Sequence, residues 1–274
     1  HKSFIKRLYD ENPQFVLTEL DNHYSLDYLK EVYDWLGLSY TPKFTQHDID
    51  AIFTDFALFF NSNINSTFLL DRGITSEQID EFKLGSTHCF EDCVLLDEFI
   101  DQLSSKYDPK LINIVCSYHA YILETNKELY GEPHCSTIPS FDNKGIGRGI
   151  VYRTENYKPH TEQLRNLYKF YVSHAPSYLF NQNIIDKFDT IFVVEGVFDA
   201  LSLIRLGYPN VVSTSHNRVS KFQYELIKDK KIIVIYDNDM GGLCGLEYFY
   251  KNYHNKNVKY YQTYQKDIDE WIRN

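Results

Sequence analysis

Acidic residues follow three short apolar stretches in the last third of this 274-residue chain. The first stretch leads into Glu195, the second into Asp237 and Asp239, and the third is followed by Asp267 and Asp269. Carboxylates gathered in one place repel one another unless a cation lies between them, and oxygen-only ligands select hard ions such as Mg²⁺ or Mn²⁺. Because such ions also bind phosphate oxygens, the acidic set indicates phosphoryl transfer or phosphodiester cleavage.

The segments that carry these acids alternate between apolar strands and helices. Strands are predicted at 190–194, 210–213, 231–236 and 258–261, and helices at 199–205, 220–228, 243–252 and 267–273. This alternation is typical of an α/β fold with a parallel sheet covered by helices on both faces. Since ligands bind beyond the carboxyl ends of such strands, the acids are predicted to share one crevice.

The turns after the strands support this interpretation. Gly196, Gly241 and Gly242 suit tight strand-to-helix turns at which the backbone comes close to phosphate. A single Asp after a strand is most often a helix N-cap, and that alternative applies to Asp199 or Asp267 taken alone. It does not explain three acidic turns in succession.

The upstream chain has a different pattern. Residues 1–65 are predicted to be a helical segment of unknown role, and residues 66–186 a mixed α+β subdomain. In the latter, a short helix capped by Thr75 or Ser76 is expected to stop at Gly85, and strands are expected at 138–141 and 149–153. Residues 187–274 form the parallel-sheet unit.

A basic strip is predicted within residues 143–170. Six basic residues stand there against two acidic ones, in a chain whose net charge is −10. The basic residues are Lys144, Arg148, Arg153, Lys158, Arg165 and Lys169, and the acidic ones are Glu155 and Glu162. A local excess of positive charge beside an acidic crevice indicates a surface for nucleic-acid phosphates.

Five cysteines raise the question of a zinc site. The relevant pairs are His88-Cys89-x3-Cys93, Cys116-x2-His119 and His134-Cys135. These pairs lack the tight Cys-x2-Cys spacing of zinc ribbons, so buried reduced thiols are predicted instead. Because no apolar run is long enough to span a bilayer and the start does not resemble a signal peptide, a cytosolic protein without a membrane segment is expected.

Three motifs together resemble the Toprim fold shared by DnaG-like primases, type IA and II topoisomerases and some nucleases. They read E-G-x-x-D-A-L-S-L from Glu195, I-V-I-Y-D-N-D-x-x-G through Asp237, and K-D-I-D-E-W from Lys266. Upstream, F-L-L-D-R-G-I-T-S-E-Q-I-D-E-F-K-L-G at 68–85 and I-P-S-F-D-N-K-G-I-G-R-G-I-V-Y-R-T at 138–154 are similar to the RNA polymerase domain of DnaG-like, phage-type primases.

The resemblance implies a DNA primase that makes short RNA primers by two-metal nucleotidyl transfer. Glu195, Asp237 and Asp239 would then be catalytic and, with Asp267 and Asp269, hold two Mg²⁺ or Mn²⁺ ions. Asp199, which matches the Asp after the Glu-Gly turn of the family, would be a supporting acid. Lys144, Arg148, Arg153 and Lys169 would bind template or nucleotide. The implied partners are single-stranded DNA, ribonucleoside triphosphates and a replicative helicase, with zinc only in a separate module outside this chain.

Two alternatives remain open from the residues. A Toprim nuclease would use the same acids for cleavage, although it would not need the basic strand pair upstream. A catalytically silent Toprim module that only binds nucleic acid would gain nothing from clustered like charges. A topoisomerase is disfavoured because little chain remains for the separate domain that carries its nucleophilic tyrosine.

Overall fold

The computed structural model of the chain describes residues 6, 9–13, 26–38, 46–113, 115–117, 119–120, 134–155, 169–172 and 178–273. Lys158, Glu162 and Arg165 of the predicted basic strip lie outside the described residues. Within the described part, no helix is long and apolar enough to cross a membrane.

The C-terminal part is built on a parallel sheet of four strands in the order β6-β5-β7-β8. Its strands are β5 (Thr190–Val194), β6 (Val211–Ser213), β7 (Lys231–Tyr236) and β8 (Val258–Gln262). Its helices are α6 (Val197–Arg205), α7 (Lys221–Ile227), α8 (Met240–Tyr253) and α9 (Ile268–Arg273). Each strand is followed by a helix, as the alternating sequence pattern predicts.

Side-chain alternation along these strands covers both faces of the sheet. Ile191 and Val193 of β5 pack in one apolar cluster, together with residues of α7 and α8. Val194, which points the other way, packs in a second cluster with residues of α6 and α9. Because successive side chains of a strand face opposite sides, each face buries its own layer of helices. The predicted α/β fold class is therefore confirmed.

The upstream part is built on an antiparallel sheet in the order β1-β2-β3-β4. Its strands are β1 (Gly85–Ser86), β2 (Cys135–Phe141), β3 (Gly147–Thr154) and β4 (Lys169–Val172). Its helices are α2 (Gln46–Ser62), α3 (Phe68–Asp71), α4 (Ser76–Glu81) and α5 (Cys93–Ser104), and α1 (Leu26–Leu36) precedes them. Short 3₁₀ helices lie at Thr87–Glu91 and Gln182–Lys187.

Strand β3 joins two cores. Ile150 and Tyr152 face the cluster formed with α2 and α5. Val151 faces the opposite cluster, which contains residues of α6 and α9 from the parallel-sheet part. The antiparallel sheet is thus covered on one face by its own helices and on the other by the parallel-sheet part. The predicted domain boundaries near residues 65 and 186 stay predictions, although α2 packs with the antiparallel sheet.

The short helix α4 begins as expected and ends differently. Thr75 caps it, accepting a hydrogen bond from the Gln78 backbone amide in a capping box. The prediction that Gly85 stops this helix is wrong, because the helix ends at Glu81 and Lys83 takes the left-handed conformation. Gly85 instead begins β1, where a Cβ atom would lie 2.5 Å from the Phe60 carbonyl carbon. Close approach to α2, rather than the helix end, requires this glycine.

We expect Gly245→Ala to destabilise the parallel-sheet part. Helix α8 crosses β7 at Gly245, and a Cβ atom there would overlap the Asn217 carbonyl oxygen and lie 2.7 Å from the Tyr236 ring. Overpacking of this kind costs about 1–3 kcal/mol or more. Urea unfolding followed by circular dichroism measures the change. The matched control is Cys244→Ala at the exposed neighbouring position, which we expect to change stability by less than about 0.5 kcal/mol. Equal stability of the two variants would contradict the close helix–strand approach.

Candidate active site

A cavity of about 150 Å³ lies at the carboxyl edge of the parallel sheet, where β2 and β3 of the antiparallel sheet face it. Its charged lining consists of five carboxyl groups and three basic side chains. These are Glu195, Asp199, Asp237, Asp267 and Asp269 with Arg72, Arg153 and Lys266. The structure therefore brings together acids from three strand ends, and adds cations from the antiparallel-sheet part.

Asp237 carries the strongest electrostatic signal of the crevice. It follows β7 directly and is half-buried. Burial and, after it, the neighbouring charges of Asp199, Glu195, Asp267 and Asp239 together raise the pKa of its carboxyl from 3.8 to about 8. Like charges crowded in a partly desolvated site oppose ionisation, so a cation bound there would restore the carboxylate form.

Asp199 ties the first acidic turn to the last. Its Oδ2 accepts a hydrogen bond from the Gly196 backbone amide at 3.2 Å, and its Oδ1 accepts one from the Asp269 amide at 3.0 Å. Burial raises the pKa of Asp199 to about 7, with the charges of Asp267 and Asp269 adding to the rise. Its position fits the predicted role of a supporting acid, because it orients both turns.

Asp269 is buried and fully engaged by protein groups. Its Oδ2 accepts from the Arg72 guanidinium at 2.6 Å and from Arg273 at 3.0 Å, and its Oδ1 accepts from the Ser202 hydroxyl at 2.9 Å. Direct metal binding by Asp269 stays a prediction, and it would require sharing an oxygen that already has these partners. The contacts indicate that Asp269 anchors α9 to α6 and to the segment after α3.

Asp239 and Asp267 each use one oxygen to begin a helix. Asp239 Oδ1 accepts from the Gly242 amide at 2.9 Å at the start of α8, and Asp267 Oδ1 accepts from the Glu270 amide at 2.7 Å at the start of α9. Asp267 lines the cavity, whereas Asp239 is exposed just outside it. In each carboxylate the second oxygen is available to a ligand.

The turn glycines allow close backbone packing. A Cβ at Gly242 would collide with the Asp237 carbonyl oxygen, and one at Gly196 with the Asp199 carboxylate. At Gly241 the nearest atom would be the Asp239 carboxylate, 3.1 Å away. The first two glycines are therefore required by the turns that place the acids.

The predicted basic strip divides between two faces of β3. Arg153, on the same face as Val151, lines the acidic cavity. Arg148 points to the opposite face, where it forms ion pairs with Asp142 at 2.7 Å and with Asp50. An odd spacing along a strand always separates two side chains in this way.

Two of the three lysines of the strip, Lys144 and Lys169, lie in the described part of the chain. Lys144 is exposed in the turn between β2 and β3. The backbone of Lys169 pairs with that of Arg153 in the β3–β4 register. Among the basic residues of the strip whose side chains the structure describes (Lys144, Arg148 and Arg153), Arg153 is the one that lines the acidic cavity.

Two cations of the cavity were not predicted from the sequence. Arg72 follows α3, and its guanidinium lies 4.2 Å from the centre of the Phe198 ring while it pairs with Asp269. Lys266 precedes Asp267, and its carbonyl accepts from the Asn238 amide at 2.6 Å. Both residues lie inside the motifs on which the family resemblance rests, so their position in those motifs was the sequence feature that could have indicated them. Their role in balancing charge was visible only in three dimensions.

The donor chemistry of the crevice suits a hard divalent cation. Glu195, Asp237 and Asp267 offer carboxylate oxygens at the strand ends, and Asp239 lies beside them. Among the residues that the structure describes, no group of three or more His, Cys, Asp or Glu side chains is preformed around an ion position. The fit therefore rests on ligand type and on the raised pKa of Asp237.

The cysteine and histidine pairs lie in the antiparallel-sheet part. Cys89 and Cys135 are buried in its apolar core, and burial raises the pKa of Cys89 to about 12 and that of Cys116 to about 11. Buried thiols of raised pKa are inert, which agrees with their interpretation as core residues. The side chain of Cys93 lies outside the described residues.

Comparison with known proteins gives the class of the fold. Residues 192–272 match the Toprim-like family. The DNA primase of Campylobacter jejuni is 26% identical over 227 residues, which cover 75% of this chain and 35% of that protein. The chain spans about a third of the length of the first curated relatives that it matches.

Two solved structures show a similar arrangement. The zinc-binding and RNA polymerase domains of the Aquifex aeolicus primase match with a TM-score of 0.58 and 20% identity, over 95% of this chain and 66% of that one. A DnaG primase catalytic domain bound to single-stranded DNA matches with a TM-score of 0.54 and 15% identity, over 83% of this chain and 75% of that one.

These findings identify the C-terminal part as a Toprim-like domain. In fold and in sequence resemblance the chain is DnaG-like, with a Toprim unit preceded by a mixed α+β subdomain as in primase catalytic cores. The resemblance drawn from the motifs is confirmed.

We expect the stability of the metal-free protein to fall as pH rises from about 4 to about 8. The folded pKa values of Asp199 and Asp237 lie near 7 and 8, above the ordinary 3.8. An acid whose pKa is raised on folding stabilises the folded chain at low pH, and this contribution is lost as pH rises through the folded pKa. Each such group contributes at most about 1.4 kcal/mol per pH unit.

Thermal unfolding in a chelating buffer across this range tests the expectation. Asp237→Asn should flatten the decline, while Asp229→Asn, a change at an exposed aspartate, should leave it unaltered. A wild-type curve that is level between pH 5 and 8 would show that the crowded acids are not desolvated.

We also expect Arg72→Met to destabilise the protein strongly. The substitution removes one of the cations paired with the buried Asp269 carboxylate, and breaking a buried pair from one side costs about 3–5 kcal/mol. Arg273→Met removes the second, more exposed partner and should cost less than about 1 kcal/mol. Denaturant unfolding of both variants measures the difference. Equal losses would show that Arg72 does not anchor Asp269.

Proposed function

We propose that this chain is the catalytic core of a DNA primase, which synthesises short RNA primers on single-stranded DNA for replication. The observation that carries the proposal is the crevice itself, where strand-end carboxylates of a Toprim-like domain meet cations from the antiparallel-sheet part. A polymerase needs both charges in one place, since acids hold metal and cations bind phosphate. Sequence relatives named DNA primase support the proposal.

The acids would hold Mg²⁺ or Mn²⁺. Glu195, Asp237, Asp239 and Asp267 are the proposed ligands, because each can direct a carboxylate oxygen into or beside the cavity. Two bound ions would supply charge stabilisation for the attacking and leaving oxygens of nucleotidyl transfer. We propose Asp269 as a positioning residue for α9, with direct ligation as the alternative.

The cations would bind the substrate phosphates. Arg153 and Lys266 line the same cavity as the acids and face it from opposite sides of the crevice. We propose that they bind the triphosphate of an incoming ribonucleotide or the nearby template phosphates. Arg148 is held by Asp50 and Asp142, so we propose for it a role in fixing the β2–β3 turn that presents Lys144.

The proposed template is single-stranded DNA. The fold resembles that of a DnaG catalytic domain whose structure includes single-stranded DNA. A replicative helicase is the proposed partner in the cell, by the family resemblance alone. A phage or bacterial origin is proposed on the same basis.

Primer synthesis tests the proposal directly. On mixed-sequence single-stranded DNA with labelled ribonucleotides and Mg²⁺ or Mn²⁺, the wild type should produce short RNA. Asp237→Asn should reduce synthesis by about 10²-fold or more, because the loss falls on charge stabilisation in the transition state. Asp229→Asn, which makes the same chemical change at an exposed position, should retain synthesis.

Other products would decide against the proposal. Cleavage of the DNA that is lost in Asp237→Asn would identify a Toprim nuclease. If no primer forms, extension of a pre-annealed primer separates a core that cannot initiate from a catalytically silent module. Absence of both synthesis and extension would overturn the primase proposal.

A further inference from the structure

The chain segment that forms the outer edge of the parallel sheet contains no acidic residues. Residues 248–266 contain four lysines, six tyrosines and no aspartate or glutamate, in a chain whose net charge is −10. They include the end of α8, the edge strand β8 and the loop that leads to Asp267. We propose that this surface, here called the β8 edge, binds single-stranded nucleic acid that enters or leaves the crevice. The proposal rests on the proposed function for its biological meaning, but not for its test.

Three rings form a cluster on one side of the β8 edge, in which Tyr250 and His254 are exposed and Tyr260 is half-buried against the apolar core. The centre of the Tyr250 ring lies 4.5 Å from that of His254 and 5.7 Å from that of Tyr260, and the latter two lie 5.8 Å apart. Tyr250 is 55% exposed and His254 is also exposed. Bases of a single strand stack on aromatic rings without regard to sequence, and each base contributes about 1–3 kcal/mol.

The β8 edge leads to the acids. Tyr261 and Tyr264 are 54% and 93% exposed and lie along the chain between the ring cluster and the acids, with Tyr261 on the opposite face of β8 from Tyr260. Beyond them Lys266 lines the acidic cavity, and its carbonyl is hydrogen-bonded to the Asn238 amide between the two acids of the Asp-x-Asp turn. The five residues of β8 span roughly 16 Å at ~3.3 Å each, the length of about five stacked nucleotides.

Lysines flank the rings on both sides. Lys256 and Lys259 are exposed, and neither forms an ion pair with another residue of the described part of the chain. Lys251 pairs with Glu247 at 2.6 Å, at the border of the acid-free segment. Exposed ammonium groups in the same segment as exposed rings complement a nucleic-acid strand, whose phosphates and bases they can bind respectively.

A simpler explanation exists for each feature alone. Tyrosine is frequent throughout this chain, and lysines on an edge strand prevent unwanted strand pairing. Neither explanation accounts for the exposure of Tyr250 and His254, since other rings of the same layer pack against the apolar core. These are Tyr260 and the pair Tyr224 and Tyr253, which stack at 4.3 Å. Exposure, charge and continuity with the crevice together favour a nucleic-acid strand.

Fluorescence anisotropy of a labelled oligo(dT), with chelator and without triphosphates, tests the surface. Lys256→Glu with Lys259→Glu should weaken binding by about tenfold or more, and should lower the salt slope by about 1.4, from two contacts at about 0.7 each. Tyr250→Ser should weaken binding by about tenfold through loss of stacking.

Matched controls separate local contacts from general charge effects. Lys187→Glu with Lys221→Glu makes the same charge change at exposed positions away from β8, and Tyr208→Ser removes an equally exposed ring. Each control should weaken binding by less than about threefold. Equal weakening by the edge and control variants, or no binding by the wild type, would overturn the proposal. A chain that makes no primer but binds oligo(dT) through the β8 edge would overturn the proposed function alone.

Discussion

Repulsion among five carboxyl groups at one sheet edge is the constraint on which the rest of the structure depends. The raised pKa values of Asp199 and Asp237 reflect first the burial of these carboxyl groups and then that repulsion. The fold opposes it with backbone amides and guanidinium groups, since Asp199 accepts two amide hydrogen bonds and Asp269 binds two arginines. The negative charge that these groups do not offset lies at the strand ends, where a bound cation would be stabilised most.

This arrangement needs both sheets. The parallel sheet supplies the acids, because its strands all end at one edge, and β3 of the antiparallel sheet supplies Arg153 to the same cavity. The cluster that joins Val151 to α6 and α9 keeps the two sheets in contact. Apolar packing between the sheets therefore sets the distance between the strand-end carboxyl groups and Arg153. Substitutions in this apolar cluster would affect the crevice without changing a charged group.

The sequence alone predicted the parallel-sheet unit well, because buried parallel strands are continuous apolar runs. Strands β5 and β7 were placed at the residues where they occur. The end of α4 was missed, since Gly85 looks like a helix stop and serves instead for close packing on Phe60. Counting charge along 143–170 also missed that β3 turns Arg148 and Arg153 to opposite faces. A charge count along the sequence ignores the fact that successive side chains of a strand point to opposite faces of the sheet.

Asp269 shows why motif spacing cannot assign every role. A metal ligand and a structural anchor both require a carboxylate at this position, so the Lys-Asp-x-Asp-Glu pattern is the same in either case. The difference lies in partners that are remote in sequence, above all Arg72, 197 residues away. A guanidinium that occupies Asp269 Oδ2 fixes α9 against α6, and with it the start of the helix that Asp267 caps. Asp269 can thus act by fixing the position of Asp267, which presents its second carboxylate oxygen to the cavity.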